Sequence, residues 1–264
     1  MSETAESLTH PAYGQLREVT DTASVLLADN PGLMTLEGTN TWVLRGPRSD
    51  ELVIVDPGPG DDQHIDRLAA LGRIALVLIS HRHIDHTDGI DKLVELTGAP
   101  VRAADPQFLR GDGVTLSDRE VIDAAGLKIT VLATPGHTAD SLSFVLEDAV
   151  LTADSVLGRG TAVLDKDDGN LTDYLESLQR LRGLGRRTVL PGHGPDLGDL
   201  ATVAQEYLVH RDERLEQVRS ALRELGEDAG ARQVVEHVYT DVDEKLWDAA
   251  EWSVQAQLNY LRQD

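Results

Sequence analysis

The sequence predicts an α/β protein whose sheets are covered by helices and which ends in a small helical domain. Between about residues 19 and 200, short runs rich in β-branched residues alternate with amphipathic stretches. After about residue 200 only helical patterns follow, and 264 residues suffice for one large domain and one small one. We therefore predict domains over residues 1–200 and 201–264.

The strand candidates are short apolar runs that end at Gly, Pro or Asp, and they read REVTDTASVLLA, NTWVLRG, ELVIVDPG, RIALVLIS, LKITVLATPG, SLSFVLE, DAVLTAD and RRTVLPGHG. Between them, apolar residues recur at helical spacing in DDQHIDRLAALG, DGIDKLVELTG and NLTDYLESLQRLRGLG. The helical domain reads LATVAQEYLVHRDERLEQVRSALRELG, ARQVVEHVYT and DEKLWDAAEWSVQAQLNYLRQD. Because this domain lacks a basic face, we do not expect it to bind double-stranded DNA.

Composition narrows the classes of function. The net charge of −22 disfavours nucleic-acid partners, and the lack of cysteine excludes disulfides and thiolate metal sites. No apolar run approaches the roughly 20 residues that cross a bilayer. We expect a soluble cytoplasmic protein without a membrane partner, whose polar start, MSETAESLTH, is frayed. The sequence leaves open whether the protein forms a homo-oligomer.

Histidines mark the ends of three predicted strands. The chain has nine, and five stand where a strand meets a loop: His81, His83, His86, His137 and His193. Any one alone is more often a hydrogen-bonded residue than a ligand. Together they predict a metal site, whereas we assign no site role to the four in the tail or on helices: His10, His64, His210 and His237.

The spacing in SHRHIDHTDG suggests how ligands divide. In an extended segment His81 and His83 point to the same side, while Asp85 and His86 follow after the chain turns and can address a second ion. Asp154 could bridge the two, or simply cap a turn. Imidazole and carboxylate ligands suit zinc, although iron or manganese accept the same set.

These residues carry a family resemblance. The order HRHIDH at 81–86, then His137, Asp154 and His193, with VIVDPG upstream, resembles the metallo-β-lactamase superfamily of metallohydrolases. The segment NPGLMTLEGTNTWVL and the helical tail are similar to the branch of β-lactamase-like protein 2, whose animal members are endoribonucleases with a C-terminal winged-helix-like domain.

The resemblance implies an αββα sandwich with a site for two Zn²⁺ at one edge of its sheets. It implies that the first metal is held by His81, His83 and His137, the second by Asp85, His86 and His193, and that Asp154 bridges both. Asp56 would orient the ligand loop through hydrogen bonds. We expect hydrolysis by a metal-bridging hydroxide, with Asp85 orienting the nucleophile or moving its proton.

Three hypotheses for function follow. The first is a hydrolase of a small ester, thioester or lactone. The second is a single-stranded RNA endoribonuclease that relies on a few basic residues, namely Arg82, Arg102, Arg110 and Arg159. The third is a non-enzymatic metal-binding scaffold. β-Lactam hydrolysis is expected only as a side activity, because true β-lactamases of the family place cysteine or serine near the position of Asp154.

The loop NPGLMTLEGTNTW is the predicted substrate loop, and we assign Leu33, Met34 and Asn40 to it. With Leu36, the first two suggest an apolar lip that suits an acyl group better than phosphates. The alternative, that these residues pack a hairpin, carries equal weight.

Overall fold

A computed structural model describes residues 9–240 and 244–262, in which two β-sheets lie face to face. The first sheet has the strand order β1-β2-β3-β4-β5-β6. Its strands are β1 (Arg17–Glu18), β2 (Ala23–Leu27), β3 (Asn40–Leu44), β4 (Glu51–Val55), β5 (Arg73–Leu78) and β6 (Val101–Arg102). The predicted frayed start falls mainly on residues 1–8, outside the described residues, as do 243, 263 and 264 of the last predicted helix.

The second sheet has the order β11-β10-β9-β8-β7. Its strands are β7 (Val121–Ala124), β8 (Leu127–Ala133), β9 (Leu142–Val145), β10 (Ala149–Ala153) and β11 (Thr188–Pro191). Both sheets are mixed: β4, β5 and β6 run parallel, as do β10 and β11, and the other neighbours are antiparallel.

The helices cover the outer side of each sheet or form the C-terminal region. They are α1 (Asp62–Ala70), α2 (Ile84–Thr87), α3 (Ile90–Thr97), α4 (Leu171–Gly183), α5 (Leu200–Leu225), α6 (Ala231–Val238) and α7 (Trp247–Leu261), with 3₁₀ turns at Pro106–Phe108 and Glu244–Leu246. Asp61, Asn170 and Asp199 cap the first turns of α1, α4 and α5 with their side chains. Within the described ranges, no helix is long and apolar enough to cross a membrane.

Strand β4 shows how the layers form. Val53 and Val55 point into the cluster between the sheets, whereas Leu52 and Ile54 join the cluster beneath α1 and α3. A strand buried on both faces has no polar alternation, which explains the continuous apolar run ELVIV. The layers are therefore helix, sheet, sheet and helix, as the family resemblance implies.

Helix α5 packs in two regions. Its first half contributes Leu200 and Tyr207 to the cluster beneath α4, and its second half contributes Val218 and Leu222 to the cluster with α6 and α7. A single helix of 26 residues thus joins the sandwich to the C-terminal helices.

One predicted strand is a hairpin instead. The run REVTDTASVLLA forms β1 and β2, which pair antiparallel with Arg17 opposite Val25. Between them Thr20 Oγ1 accepts a hydrogen bond from Thr22 N at 3.3 Å. This local bond competes with continued strand pairing, so the chain turns at the TDT segment.

Candidate metal centre

The predicted ligands meet at one edge of the sandwich because each follows a strand that ends there. His81 and His83 follow β5, His137 follows β8, Asp154 follows β10 and His193 follows β11. A register shift between Leu151 and Ala153 in β10 comes directly before Asp154. The segments after four strands, of which β10 and β11 are hydrogen-bonded neighbours, therefore supply one constellation.

Two groups of side chains have their ligand atoms within 4.8 Å of one another. The first cluster consists of His81, His83, His137 and Asp154, and the second cluster of Asp85, His86 and His193. Asp154 lies between them, with Oδ2 at 3.7 Å from His137 Nε2 and 3.3 Å from His193 Nε2. The structure thus brings together all seven side chains that the sequence singles out.

Imidazole nitrogens face each other inside both clusters. His83 Nδ1 lies 3.0 Å from His81 Nε2 and 3.1 Å from His137 Nε2, and His86 Nε2 lies 3.3 Å from His193 Nε2. Asp154 Oδ1 is buried and has no hydrogen-bond partner among the described residues. Converging nitrogen lone pairs beside an unpartnered buried carboxylate oxygen fit metal cations.

The other ring nitrogens are held from outside the clusters. His86 Nδ1 donates to Asp56 Oδ2 at 2.9 Å, and Asp56 also accepts from Ser80 N at 2.8 Å. His193 Nδ1 donates to Gly38 O at 3.0 Å and His137 Nδ1 to Val163 O at 2.6 Å. These bonds fix the ring tautomers so that Nε2 faces the site.

Electrostatics differ between the clusters. Burial lowers the pKa of His81 and His137, so these imidazoles are neutral. For His86 burial acts in the same direction, but the charges of Asp85 and Asp154 outweigh it and raise the pKa to about 9. Burial likewise opposes ionisation of Asp154, yet the nearby imidazoles, His193 first, hold its pKa well below the ordinary value.

Close backbone approach shapes the floor of the site. A Cβ on Gly192 would lie 2.2 Å from Asp154 Oδ1, so only glycine leaves room for this carboxylate. Ala153, directly before Asp154, has a φ of 45°, a left-handed conformation that non-glycine residues rarely adopt. Such strain is typical of functional sites.

A cavity of about 140 Å³ opens above the clusters. Its lining includes Leu33, Met34, Asp85 and Arg159. Leu33 is 65% exposed and Met34 47% exposed, so two apolar side chains that line the cavity also face solvent. Asn40, by contrast, is buried, and its amide donates to Pro191 O and Gly194 O. The structure therefore places Asn40 at the first residue of β3 and outside the lining of the cavity, so its assignment to the substrate loop stays a prediction.

Several residues around the site were missed in the sequence. Thr39 Oγ1 donates to Asp85 Oδ2 at 3.0 Å, and Asp165 Oδ2 lies 2.9 Å from His83 Nε2. On α5 the buried Arg211 donates to Ala162 O, next to the carbonyl that holds His137. Thr39 lies inside the quoted GTNT segment and was available as a signal. No local sequence motif identifies Asp165 or Arg211 as part of the site.

The four histidines without an assigned role lie outside both clusters. His64 is buried on α1, and its Nε2 lies 2.9 Å from Thr41 Oγ1. Burial lowers its pKa to about 4. His10 pairs with Glu37 at 3.3 Å. Both are hydrogen-bonded structural residues.

Family comparisons agree with this geometry. The pattern of the metallo-β-lactamase superfamily matches residues 34–111 and 104–193, and that of the β-lactamase-associated winged helix domain matches residues 231–264. A β-lactamase-like protein 2 homolog of Caenorhabditis elegans is 32% identical, over 89% of this chain and 81% of that protein. An atrochrysone carboxyl ACP thioesterase of Aspergillus fumigatus is 34% identical over 76% of this chain, but only 64% of its own length is covered.

Solved structures show the same fold. A β-lactamase domain protein from Burkholderia ambifaria superposes with a TM-score of 0.81 at 20% identity, covering 97% of this chain and 90% of that one. The αββα sandwich and the helical C-terminal region thus recur together in one molecule.

Proposed function

The chain belongs to the metallo-β-lactamase superfamily and carries a winged-helix domain at its C-terminus, and from this premise we propose that it is a dinuclear zinc hydrolase of ester, thioester or lactone substrates. The observation that carries the proposal is the position of Asp154, whose carboxylate lies between two histidine clusters and keeps one buried oxygen without a partner among the described residues.

In this proposal His81, His83 and His137 hold one ion, Asp85, His86 and His193 hold the second, and Asp154 is shared. The all-nitrogen and oxygen donor set is one that zinc accepts. When bound, two such ions lower the pKa of water and stabilise negative charge that develops on the substrate oxygen.

Asp85 is our candidate for handling the proton. Thr39 fixes its carboxylate through Oδ2, and its side chain is 22% exposed towards the cavity. Burial raises its pKa, but His86 and His193 outweigh this and hold it below the ordinary value, so the carboxylate is ionised and able to accept a proton. Water adds to the carbonyl carbon, the C–S or C–O bond breaks, and Asp85 passes the water's proton to the leaving sulfur or oxygen.

The apolar lip supports an acyl substrate. Leu33 and Met34 stand exposed at the mouth of the cavity, and Leu36 and Leu157 line it further. Exposed apolar side chains beside a polar centre are expected where a hydrocarbon group binds. The relative from Aspergillus fumigatus is named as an ACP thioesterase, which agrees with this substrate class.

The hypothesis of a single-stranded RNA endoribonuclease, which relies on four arginines, has less support. Each arginine that it would use already pairs with an acidic side chain: Arg82 with Asp165, Arg102 with Glu120, Arg110 with Asp91, and Arg159 with Glu37. A phosphate backbone would have to displace these partners on a chain of net charge −22.

A substrate panel tests the proposal. Zinc-loaded protein is assayed on acyl thioesters, esters, lactones, a β-lactam and fluorescent single-stranded RNA, with and without chelator. We expect chelator-sensitive turnover on the acyl compounds, abolished in His83→Ala and kept in the control His237→Ala, whose histidine lies on α6. Cleavage of RNA alone, or metal binding without turnover on any compound, would contradict the acyl assignment.

We also propose a division of the chain near residue 200, where α5 begins. Truncation after residue 225, which keeps all of α5, is expected to preserve metal binding, because Leu200 and Tyr207 pack beneath α4. Loss of metal binding in a soluble, folded truncation would show that α6 and α7 belong to the same unit as the metal centre, which would contradict this division.

A further inference from the structure

The ring of His83 is oriented differently from the other four histidines of the site. It faces its cluster through Nδ1, whereas His81, His137, His86 and His193 face theirs through Nε2. The Nε2 of a ring that binds through Nδ1 points away from its own backbone. Such a ring therefore needs a partner from another part of the chain to fix its tautomer and direction.

Asp165 is in place to be that partner. Its Oδ2 lies 2.9 Å from His83 Nε2, although the two residues are 82 positions apart. Its main-chain N–H donates to His137 O at 2.9 Å. Asp165 therefore contacts two of the three histidines in the first cluster, one through its side chain and one through its backbone.

The carboxylate of Asp165 is itself fixed. Its Oδ1 accepts from Asp167 N at 2.8 Å and from an Arg82 guanidinium nitrogen at 2.7 Å. The chain then turns at Gly169, where a Cβ would lie 2.3 Å from Asp165 O. With Oδ1 occupied by these donors, Oδ2 is directed at His83.

We propose that Asp165 is a positioning residue that holds His83 in its metal-binding tautomer, forming a carboxylate–histidine–metal relay in the first cluster. The inference rests on the proposed function, because it takes His83 as a ligand. Burial cannot orient His83 instead, since its side chain is 27% exposed, against 0% for His81 and 7% for His137. For the other two rings burial adds to a hydrogen bond at Nδ1, between His81 and Ser80 Oγ and between His137 and Val163 O, whereas the partly exposed ring of His83 depends on its bond to Asp165.

The chain offers a matched control. Asp168 also pairs with Arg82, at 2.9 Å, and it is an aspartate on the same turn. Asp168→Ala removes a carboxylate and an arginine partner while leaving the bond from His83 to Asp165. A purely structural role for this acidic turn predicts similar effects at both positions, whereas the positioning role predicts an effect at Asp165 alone.

The experiment is a zinc titration of the full-length, metal-free protein against a chromogenic chelator. We expect two equivalents for the wild type, with one of them weakened about 10- to 100-fold in Asp165→Ala and changed less than about 2-fold in Asp168→Ala. Asp165→Asn, which keeps an acceptor oxygen, should recover part of the loss and provides a folded variant if alanine is not tolerated.

The possible results separate the two proposals. A wild-type chain that fails to bind two zinc ions overturns the proposed function and the role of Asp165 with it. Two tight equivalents in the wild type and unchanged affinities in Asp165→Ala overturn the positioning role alone. Equal losses in the Asp165 and Asp168 variants likewise overturn it in favour of a structural turn.

Discussion

The two clusters of the candidate site are supported in different ways. In the second cluster His86 and His193 have side chains that are 0% and 2% exposed, and their outer nitrogens bond to Asp56, directly after β4, and to Gly38, just before β3. In the first cluster His83 is partly exposed, and the outer nitrogens of His83 and His137 bond to Asp165 and Val163 on one loop.

This difference shows which parts of the fold position the side chains of each cluster. The second cluster is tied to strand ends of the sandwich core. The first depends on the loop between β10 and α4, which is held from behind by helices: Tyr174 Oη donates to Ser155 O, Leu157 N donates to Tyr207 Oη, and Arg211 donates to Ala162 O. Helix α5 therefore supports the first cluster although it contributes no ligand candidate.

The largest effect is expected at Asp56, which holds His86 of the second cluster from the end of β4. Asp56→Asn keeps a residue that tolerates the left-handed conformation, since Asp56 has a φ of 54°. It weakens the buried pair with His86, so the free energy of unfolding of the metal-free protein should fall by about 3–5 kcal/mol. Chemical denaturation measures this. A Tm and denaturation midpoint equal to wild type would contradict a core-supported second cluster.

His64 should make the free energy of unfolding depend on pH. Its folded pKa of about 4 lies below the ordinary 6.5, so the folded state favours the neutral ring. Stability is then full above about pH 6.5 and is lost as pH falls towards 4, by about 3 kcal/mol in all. Comparing denaturation of wild type and His64→Gln between pH 7 and 4 isolates this loss, and parallel pH profiles would refute it.

A smaller effect is expected at Arg211, which supports the loop beside the first cluster. Arg211→Met keeps most of the side-chain volume but removes the bond to Ala162 O, which should cost about 1–3 kcal/mol of stability. Because the neighbouring carbonyl orients His137, one zinc equivalent should also bind less tightly. Arg223→Met, exposed on the same helix, is the control. Equal zinc affinity in both variants would show that α5 does not support the site.

The smallest effect concerns the lip. Leu33→Ala removes apolar surface at the mouth of the cavity without touching a ligand candidate, so KM for long-chain acyl thioesters should rise by a few-fold with zinc affinity unchanged. Steady-state kinetics with short and long acyl chains provide the comparison. The same KM change for both chain lengths would argue that Leu33 only packs its own loop.

The sequence predicted the part of the site that depends on strand ends. The strands before His81, His137 and His193 were recognisable as apolar runs, and the two packed sheets bring the ends of these strands to one edge of the sandwich. The resemblance added how the ligands divide between two ions, and that division stays a prediction. The α/β layers were equally predictable from their alternation along the chain.

What could not be predicted depends on contacts between distant segments. Asp165 and His83 are 82 residues apart, and no periodicity relates them. Asn40 looked like a loop residue, but three-dimensional packing buries it against the turn after β11. In the sequence Arg211 is one of several charged residues on a predicted helix, and only the fold reveals that it is buried against Ala162.

The most direct test of the central claim is the zinc content and affinity of the purified full-length chain. Metal-free protein titrated with Zn²⁺ and checked by elemental analysis should bind two ions per chain, and Asp154→Asn should weaken both, because this carboxylate lies within 4.0 Å of histidine nitrogens in each cluster. A single bound ion, or two ions whose affinities Asp154→Asn leaves unchanged, would contradict the account of a shared dinuclear centre.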